Sequence, residues 1–404
     1  MDESLFDIPR EYLEPVLACL GVLEKCNLVI FSKEKSFWKT YWPSFYMVPC
    51  VVIYHLSLTM YLRTVFSEDL GLVALAYVVS VYVVCTQAIL KACIVVYKKK
   101  EIRTLIVQLG RMWELGDLTE VQINKKNVLL KKLKFCYTVF YWVNVMGSWQ
   151  YIIAPLLETV FRKYILQQEC GLLLPFSCSF PFDPSGSWLR YIGVYIFETY
   201  SMFRIVFYYI GTELLMITLC SHLSTQFTIL TDKLLNYKPN VDHEITMEGI
   251  KRIISRHQRL IGLTDQLDNI FNRMIFVNLS SANITICFFA FSAKVARAKL
   301  DIANNFMAVI VSIIPIYNLC YYGELLKQNS ASVADSAYQH LWYQCDTKYQ
   351  MLMWFIIRRA QQSCNLSSFK HTTIALNTFT AVFIRSYFYI TFSFIIQTQI
   401  RCQN

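Results

Sequence analysis

Seven long apolar stretches limit this chain more than any other feature. Five of them, 43–62, 70–90, 135–157, 275–293 and 302–323, contain no Asp, Glu, Lys or Arg. A sixth, 191–220, holds only Glu198, Arg204 and Glu213, and a seventh, 372–397, holds only Arg385. About 20 apolar residues in a helix span a bilayer core. A backbone in hydrocarbon must satisfy its own hydrogen bonds, so each stretch is read as helix. Charged residues are only 16% of the chain, against about 25% in a soluble globular domain. The 12 glycines and 10 prolines are few for 404 residues and leave room for long helices. The fold expected is an all-α membrane protein with seven transmembrane helices.

Charge sets the expected orientation. With the N-terminus inside, segments 1–42, 97–134, 221–274 and 324–371 face the cytoplasm and carry 27 Lys and Arg. The opposite segments, 63–69, 158–190, 294–301 and 401–404, carry 8. The positive-inside rule therefore gives a cytoplasmic N-terminus and an extracellular C-terminus, inverted relative to G-protein-coupled receptors. The basic 294–301 loop disagrees and is outweighed. Residues 1–42 include seven acidic side chains and no basic start before a short apolar run, so the first span is expected to act as an uncleaved anchor. The net charge of +10 is mostly this topology signal. Lys98–Lys100 and Lys125, Lys126, Lys131, Lys132 and Lys134 suit anionic membrane lipid, and no nucleic-acid partner is expected.

Below the membrane the chain stays helical. Ile250, Ile253, Ile254, His257, Leu260, Ile261, Thr264, Leu267, Ile270, Phe271 and Met274 recur every three or four residues and lead into the fifth span. Leu223, Phe227, Leu230 and Leu234 extend the fourth span in the same way, and Val333, Ala337 and Leu341 extend the sixth. Such faces need partners, which predicts a cytoplasmic helical bundle. Phe6, Tyr12, Leu13, Val16 and Leu20 predict a short interfacial helix before the first span. The expected organisation is a cytoplasmic segment 1–42, transmembrane helices 1–6 over 43–323, cytoplasmic anchor helices over 324–371, and a last helix over 372–400.

No enzyme constellation is present. The six histidines have no Cys or carboxylate at metal spacing, and there is no Gly-rich phosphate loop. No catalytic residue, metal or cofactor is therefore assigned. Most of the 14 cysteines lie in spans or on the cytoplasmic side, where they act as small core residues. Cys170 and Cys178 fall in the outer 158–190 loop, where a disulfide and two free thiols both stand as readings. The outer halves of the spans are rich in aromatics, with Tyr77, Tyr82, Trp149, Tyr151, Phe197, Tyr200 and Phe306 beside Gly147, Ser148, Ser201 and Met307. Such a lining suits a small apolar ligand; ordinary helix packing with an aromatic belt is the alternative.

Four blocks near the C-terminus carry a resemblance. They are CYYGELL (Cys320–Leu326), VADSAYQHLWY (Val333–Tyr343), MLMWFIIRRAQ (Met351–Gln361) and NTFTAVFIRSYFYITF from Asn377. In order and spacing they resemble the C-terminal region of insect odorant receptors, of a mosquito-like kind. The resemblance implies a ligand-tuning subunit that binds a small volatile molecule and works as a heterotetramer with an odorant co-receptor. It implies a non-selective cation channel in the plasma membrane of a sensory dendrite, with subunits joined through the cytoplasmic anchor. It further implies that the last helix is split into a cytoplasmic part, about 348–361, and a pore-lining part, about 373–397. Carried onto this chain, the odorant pocket falls in the outer half, at Tyr77, Gly147, Tyr151, Phe197, Tyr200, Ser201, Phe306 and Ile310. The gate falls at Ile390 and Phe394, with Ser393 and Gln397 on the neighbouring face. A gustatory receptor of the same superfamily is the nearest alternative, and a G-protein-coupled receptor a more distant one.

Overall fold

The computed structural model describes residues 5–31, 37–67, 72–113, 118–162, 167, 173–176, 178–237, 243–296, 299–386 and 388. Ten helices are fully delimited: α1 (Arg10–Glu24), α2 (Phe37–Tyr41), α3 (Ser44–Ser67), α4 (Leu72–Tyr97), α5 (Lys99–Arg111), α6 (Glu120–Val160), α7 (Trp188–Leu235), α8 (His243–Val295), α9 (Lys299–Gln339) and α10 (Thr347–Ala360). A further helix, α11, is described over 376–386. Two short strands, β1 (Ser367–Ser368) and β2 (Thr372–Thr373), form an antiparallel hairpin between α10 and α11.

Local sequence explains where the helices start. Thr119 accepts from the Gln122 backbone while the Gln122 side chain accepts from the Thr119 backbone, a reciprocal cap on α6. Ser187 caps α7 through Arg190, and Asp346 caps α10 through Tyr349. Five stretches among the described residues are long and apolar enough to cross a membrane: Trp38–Ser67, Leu75–Tyr97, Trp188–Leu235, Met247–Val295 and Ile302–Gln344. α6 carries the 135–157 run as unbroken helix, but Asn144, Ser148 and Gln150 make it less apolar.

α7 is the central post. Every residue from Tyr209 to Phe227 is buried, as expected of a helix packed on all sides. α8 and α9 run beside it and continue below the membrane level. At 1.5 Å per residue the 53 residues of α8 extend about 80 Å. The repeat read in the sequence is its buried face: Ile250, Leu260, Leu267, Phe271 and Met274 are fully enclosed.

The N-terminal helix differs from expectation. α1 does not lie at an interface; it packs inside the bundle. Tyr12, Leu13, Val16, Cys19, Leu20 and Leu23 are buried, and the Tyr12 hydroxyl donates to the Ile106 carbonyl at 2.9 Å. Leu23 seats against Gly211 of α7, where a Cβ would come within 2.5 Å of its side chain. Of the five residues expected on that face, only Phe6 points outward, 67% exposed. The apolar face is the one predicted; its cover is another helix instead of lipid.

The hairpin is tightly moored. Asp268 of α8 accepts from the Ser367 backbone at 2.6 Å and from its hydroxyl at 2.8 and 2.9 Å. Ser330 of α9 accepts from the Cys364 backbone at 2.9 Å. The turn uses left-handed backbone at Phe369 and Lys370 (φ 47° and 61°), and the Phe369 ring meets Phe276 edge-on at 4.7 Å. Non-glycine residues adopt that backbone only where surroundings hold it.

Candidate functional site

Six helices converge on a cavity in the outer half of the bundle. α3 contributes Tyr54, α4 Val81, Val84 and Cys85, and α6 Asn144, Gly147, Ser148 and Tyr151. α7 adds Met202, Ile205, Val206 and Tyr209; α8 adds Phe289; α9 adds Met307, Ala308, Val311 and Ser312. The cavity holds about 130 Å³. Apolar cavities of about 150 Å³ stay dry and take up molecules the size of benzene. The thioethers of Met202 and Met307 are flexible enough to admit something larger.

The polar groups in this wall are mostly spoken for. Asn144 donates to the Phe140 carbonyl and Ser148 to the Asn144 carbonyl, each at 2.7 Å. Tyr151 donates to the Asn304 carbonyl at 3.1 Å, and Ser312 to the Ala308 carbonyl at 2.8 Å. Their hydrogen-bonding is turned into the helices, so the cavity presents carbon. The Tyr54 hydroxyl is buried without a partner among the described residues.

The top is closed by Phe176, 4% exposed, from the segment before α7. Its ring lies nearly parallel to Tyr151 (6.4 Å, 20°) and edge-on to Tyr54 (6.0 Å). Glu198 of α7, fully buried, holds this cover by accepting from the Phe176 backbone at 3.2 Å. Tyr191 donates to the Leu173 carbonyl at 2.8 Å. Cys178 beside it is a free thiol that burial pushes up, and Cys170 lies outside the described residues.

Of the pocket residues expected from sequence, Gly147 and Tyr151 line the cavity; Ser148 and Met307, noted beside them, do too. Tyr77, Phe197, Tyr200, Ser201, Phe306 and Ile310 do not. Phe306 is 60% exposed, because the inward face of α9 begins one residue later, at Met307 and Ala308. Ser201 bonds the Cys50 carbonyl, and Phe197 meets Phe180 edge-on. Tyr200 lies against the Arg204 guanidinium at 4.6 Å. On α7 the cavity face starts at Met202, again a small shift of helical phase. The gate residues Ile390, Ser393, Phe394 and Gln397 lie outside the described residues.

Sequence reasoning missed Tyr54, Phe176 and Tyr209. It also missed a buried ion pair one turn below the cavity: Lys91 of α4 with Glu213 of α7, both fully enclosed. The Lys91 ammonium sits 4.4 Å from the centre of the Tyr209 ring, so that ring separates the cavity from the ion pair.

An all-α membrane protein with an apolar cavity among its outer helix halves is the class this architecture defines. The sequence profile described as 7tm Odorant receptor matches residues 72–387, and the chain belongs to that family. Similar curated proteins include odorant receptor 13a of Drosophila melanogaster, 25% identical over 60% of this chain and 61% of its own length. The putative odorant receptor 92a is 26% identical, with 58% of this chain and 57% of that protein covered. The chain thus spans less than two thirds of the length of these two relatives. Odorant receptor 85c is matched more fully, at 22% identity over 88% of this chain and 91% of the other. The fold is that of the insect olfactory receptor OR5 from Machilis hrabei in complex with eugenol. The TM-score is 0.78 at 11% identity, covering 96% of this chain and all of that one.

Proposed function

We propose that this chain is the odorant-tuning subunit of a ligand-gated, non-selective cation channel, assembled as a heterotetramer with an odorant co-receptor. The observation that carries the reading is the cavity: set among six helices, lined by carbon, and sized for a small volatile molecule. Family membership and the odorant receptors among its relatives support it. Gly147 and Tyr151 with Met307, Val311 and Tyr54 form the ligand contacts. The N-terminus is cytoplasmic, the protein resides in the plasma membrane of a sensory dendrite, and the lower parts of α8, α9 and α10 form the anchor between subunits. The pore is lined by the last helix, with Ile390 and Phe394 as an apolar constriction that dewets when closed and Ser393 and Gln397 beside them.

Current recording in cells expressing the chain with and without a co-receptor, against an odorant panel, tests this. A Cβ on Gly147 would meet only Val311, at 3.6 Å, so the site tolerates growth toward the cavity. Gly147→Leu fills ligand space and raises half-maximal concentrations by about fivefold to a hundredfold at unchanged surface expression, from about 1–3 kcal/mol of lost apolar contact. Co-receptor-dependent currents that are indifferent to this substitution place the ligand elsewhere.

A further inference from the structure

One helical turn deeper than the apolar cavity lies a second, much smaller space of about 10 Å³. Val84, Tyr209 and Ser312 line both, so the two adjoin. Their chemistry differs. The deeper wall adds Gln87, Asn278 and Thr285, all largely buried. Gln87 donates its amide to Asn278 Oδ1 at 2.9 Å, which occupies the oxygen. Asn278 Nδ2 is left with no acceptor among the described residues, on a side chain only 3% exposed. A buried donor without an acceptor is unfavourable. The space beside it is about the size of one water or one oxygen atom with its hydrogens.

We propose that this deeper space is a polar subsite of the ligand cavity, in which Asn278 Nδ2 donates to a single oxygen at one end of an otherwise apolar ligand. The proposal rests on the reading of the upper cavity as the ligand site. The ligand class follows from the wall. Alcohols, aldehydes, ketones and esters carry an acceptor oxygen on a hydrocarbon body and satisfy both spaces. A pure hydrocarbon fills the upper cavity and leaves the amide unpaired. A carboxylate brings net charge where none of the lining side chains is cationic, a costly transfer. The oxygen reaches Asn278 directly or through one water held in the subsite; either way the amide rewards an acceptor. The Asn-Leu-Ser sequence at 278–280 is thereby read as binding chemistry inside a helix, with its amide enclosed.

The Tyr54 hydroxyl is the competing partner for such an oxygen, at the α3 side of the upper cavity. The experiment separates the two. Currents are recorded from cells co-expressing the co-receptor. The ligands are monofunctional alcohols, aldehydes, ketones and esters of about six to ten carbons, each paired with the hydrocarbon of the same skeleton. The wild-type chain prefers the oxygenated member. Asn278→Leu reduces that preference about two- to tenfold, the worth of one neutral hydrogen bond, while hydrocarbon responses persist. Ala282→Val, which grows into the deeper space from its wall and leaves Asn278 in place, has the same effect and serves if Asn278→Leu fails to reach the surface. Tyr54→Phe keeps the ring contact and removes only the hydroxyl; it shifts both members of a pair alike, if at all, and leaves the preference between them intact. An unchanged preference in both subsite variants, no preference in the wild-type chain, or loss only in Tyr54→Phe overturns the proposal. Gly147→Leu weakens both members of a pair alike; if it moves neither, the failure belongs to the upper cavity as ligand site and not to the subsite.

Discussion

Removing one partner of the Lys91–Glu213 pair is predicted to damage the receptor far more than removing both. Both side chains have no solvent exposure; Lys91 bonds Glu213 Oε1, and Oε2 has no partner among the described residues. The pair therefore stands on its mutual attraction, plus the Tyr209 ring on the lysine side. Breaking a buried pair leaves an uncompensated charge and costs about 3–5 kcal/mol, whereas replacing both by apolar groups of similar size is often neutral. In folded-to-unfolded ratio that is about two to three and a half powers of ten. Lys91→Met strands the carboxylate with nothing else to face and falls at the upper end. Glu213→Leu leaves the ammonium over Tyr209 and falls lower, by the roughly 0.5–2 kcal/mol of a cation–π contact. Thermal unfolding of detergent-purified protein, followed by size-exclusion fluorescence, gives the two single variants and the double variant. At about 2 °C per kcal/mol for larger domains, the singles melt roughly 5–10 °C below wild type and the double recovers most of the loss. If the double variant loses the sum of the singles, the two charges do not face each other, and the assigned register of α4 against α7 is wrong.

Other outcomes are expected. Glu198→Ala frees the Phe176 cover, so odorant dissociation quickens and half-maximal concentrations rise at unchanged surface expression; washout kinetics of the current read this, and unaltered decay removes Glu198 from the cover. Asp268→Ala deletes three hydrogen bonds to Ser367, about 1–3 kcal/mol of mooring, so amide exchange across 366–374 accelerates while the membrane core stays protected. Ile390→Ala with the co-receptor raises ligand-independent current or alters relative sodium, potassium and calcium permeability; normal values for both take Ile390 out of the constriction. An epitope tag after Asn404 stains intact cells and one before Met1 does not; the reverse pattern inverts the assigned orientation.

The elements were far more legible than the site. Uncharged runs and three-to-four-residue repeats locate the helices because each helix reports its own burial. Ile250 to Met274 could be read as one face before anything was known to cover it. The cavity depends on the phase of six helices at once, and a one-residue error turns a side chain by about 100°. Phe306 and Met307 differ by that single step, one facing outward and the other the cavity. Gly147 and Tyr151 were legible as an aromatic with a small neighbour in the outer half of a span, and one helical turn apart they share the face that meets the cavity. Phe176 lies in a segment without periodicity, so nothing local marks it as the cover. Lys91 and Glu213 are 122 residues apart, and only the packing of α4 on α7 makes them a pair.

The continuity of α7, α8 and α9 has a mechanical consequence. A helix 80 Å long bends only gently, so a tilt at the level of Phe289 reaches Leu260 as a displacement of the whole rod. α10 and α11 are joined differently, through fifteen residues of chain that turn back on themselves at Phe369 and Lys370. The hairpin is clamped to two of these rods, to α8 by Asp268 and to α9 by Ser330. In the proposed channel, a displacement of either rod reaches the base of α11 through this clamp.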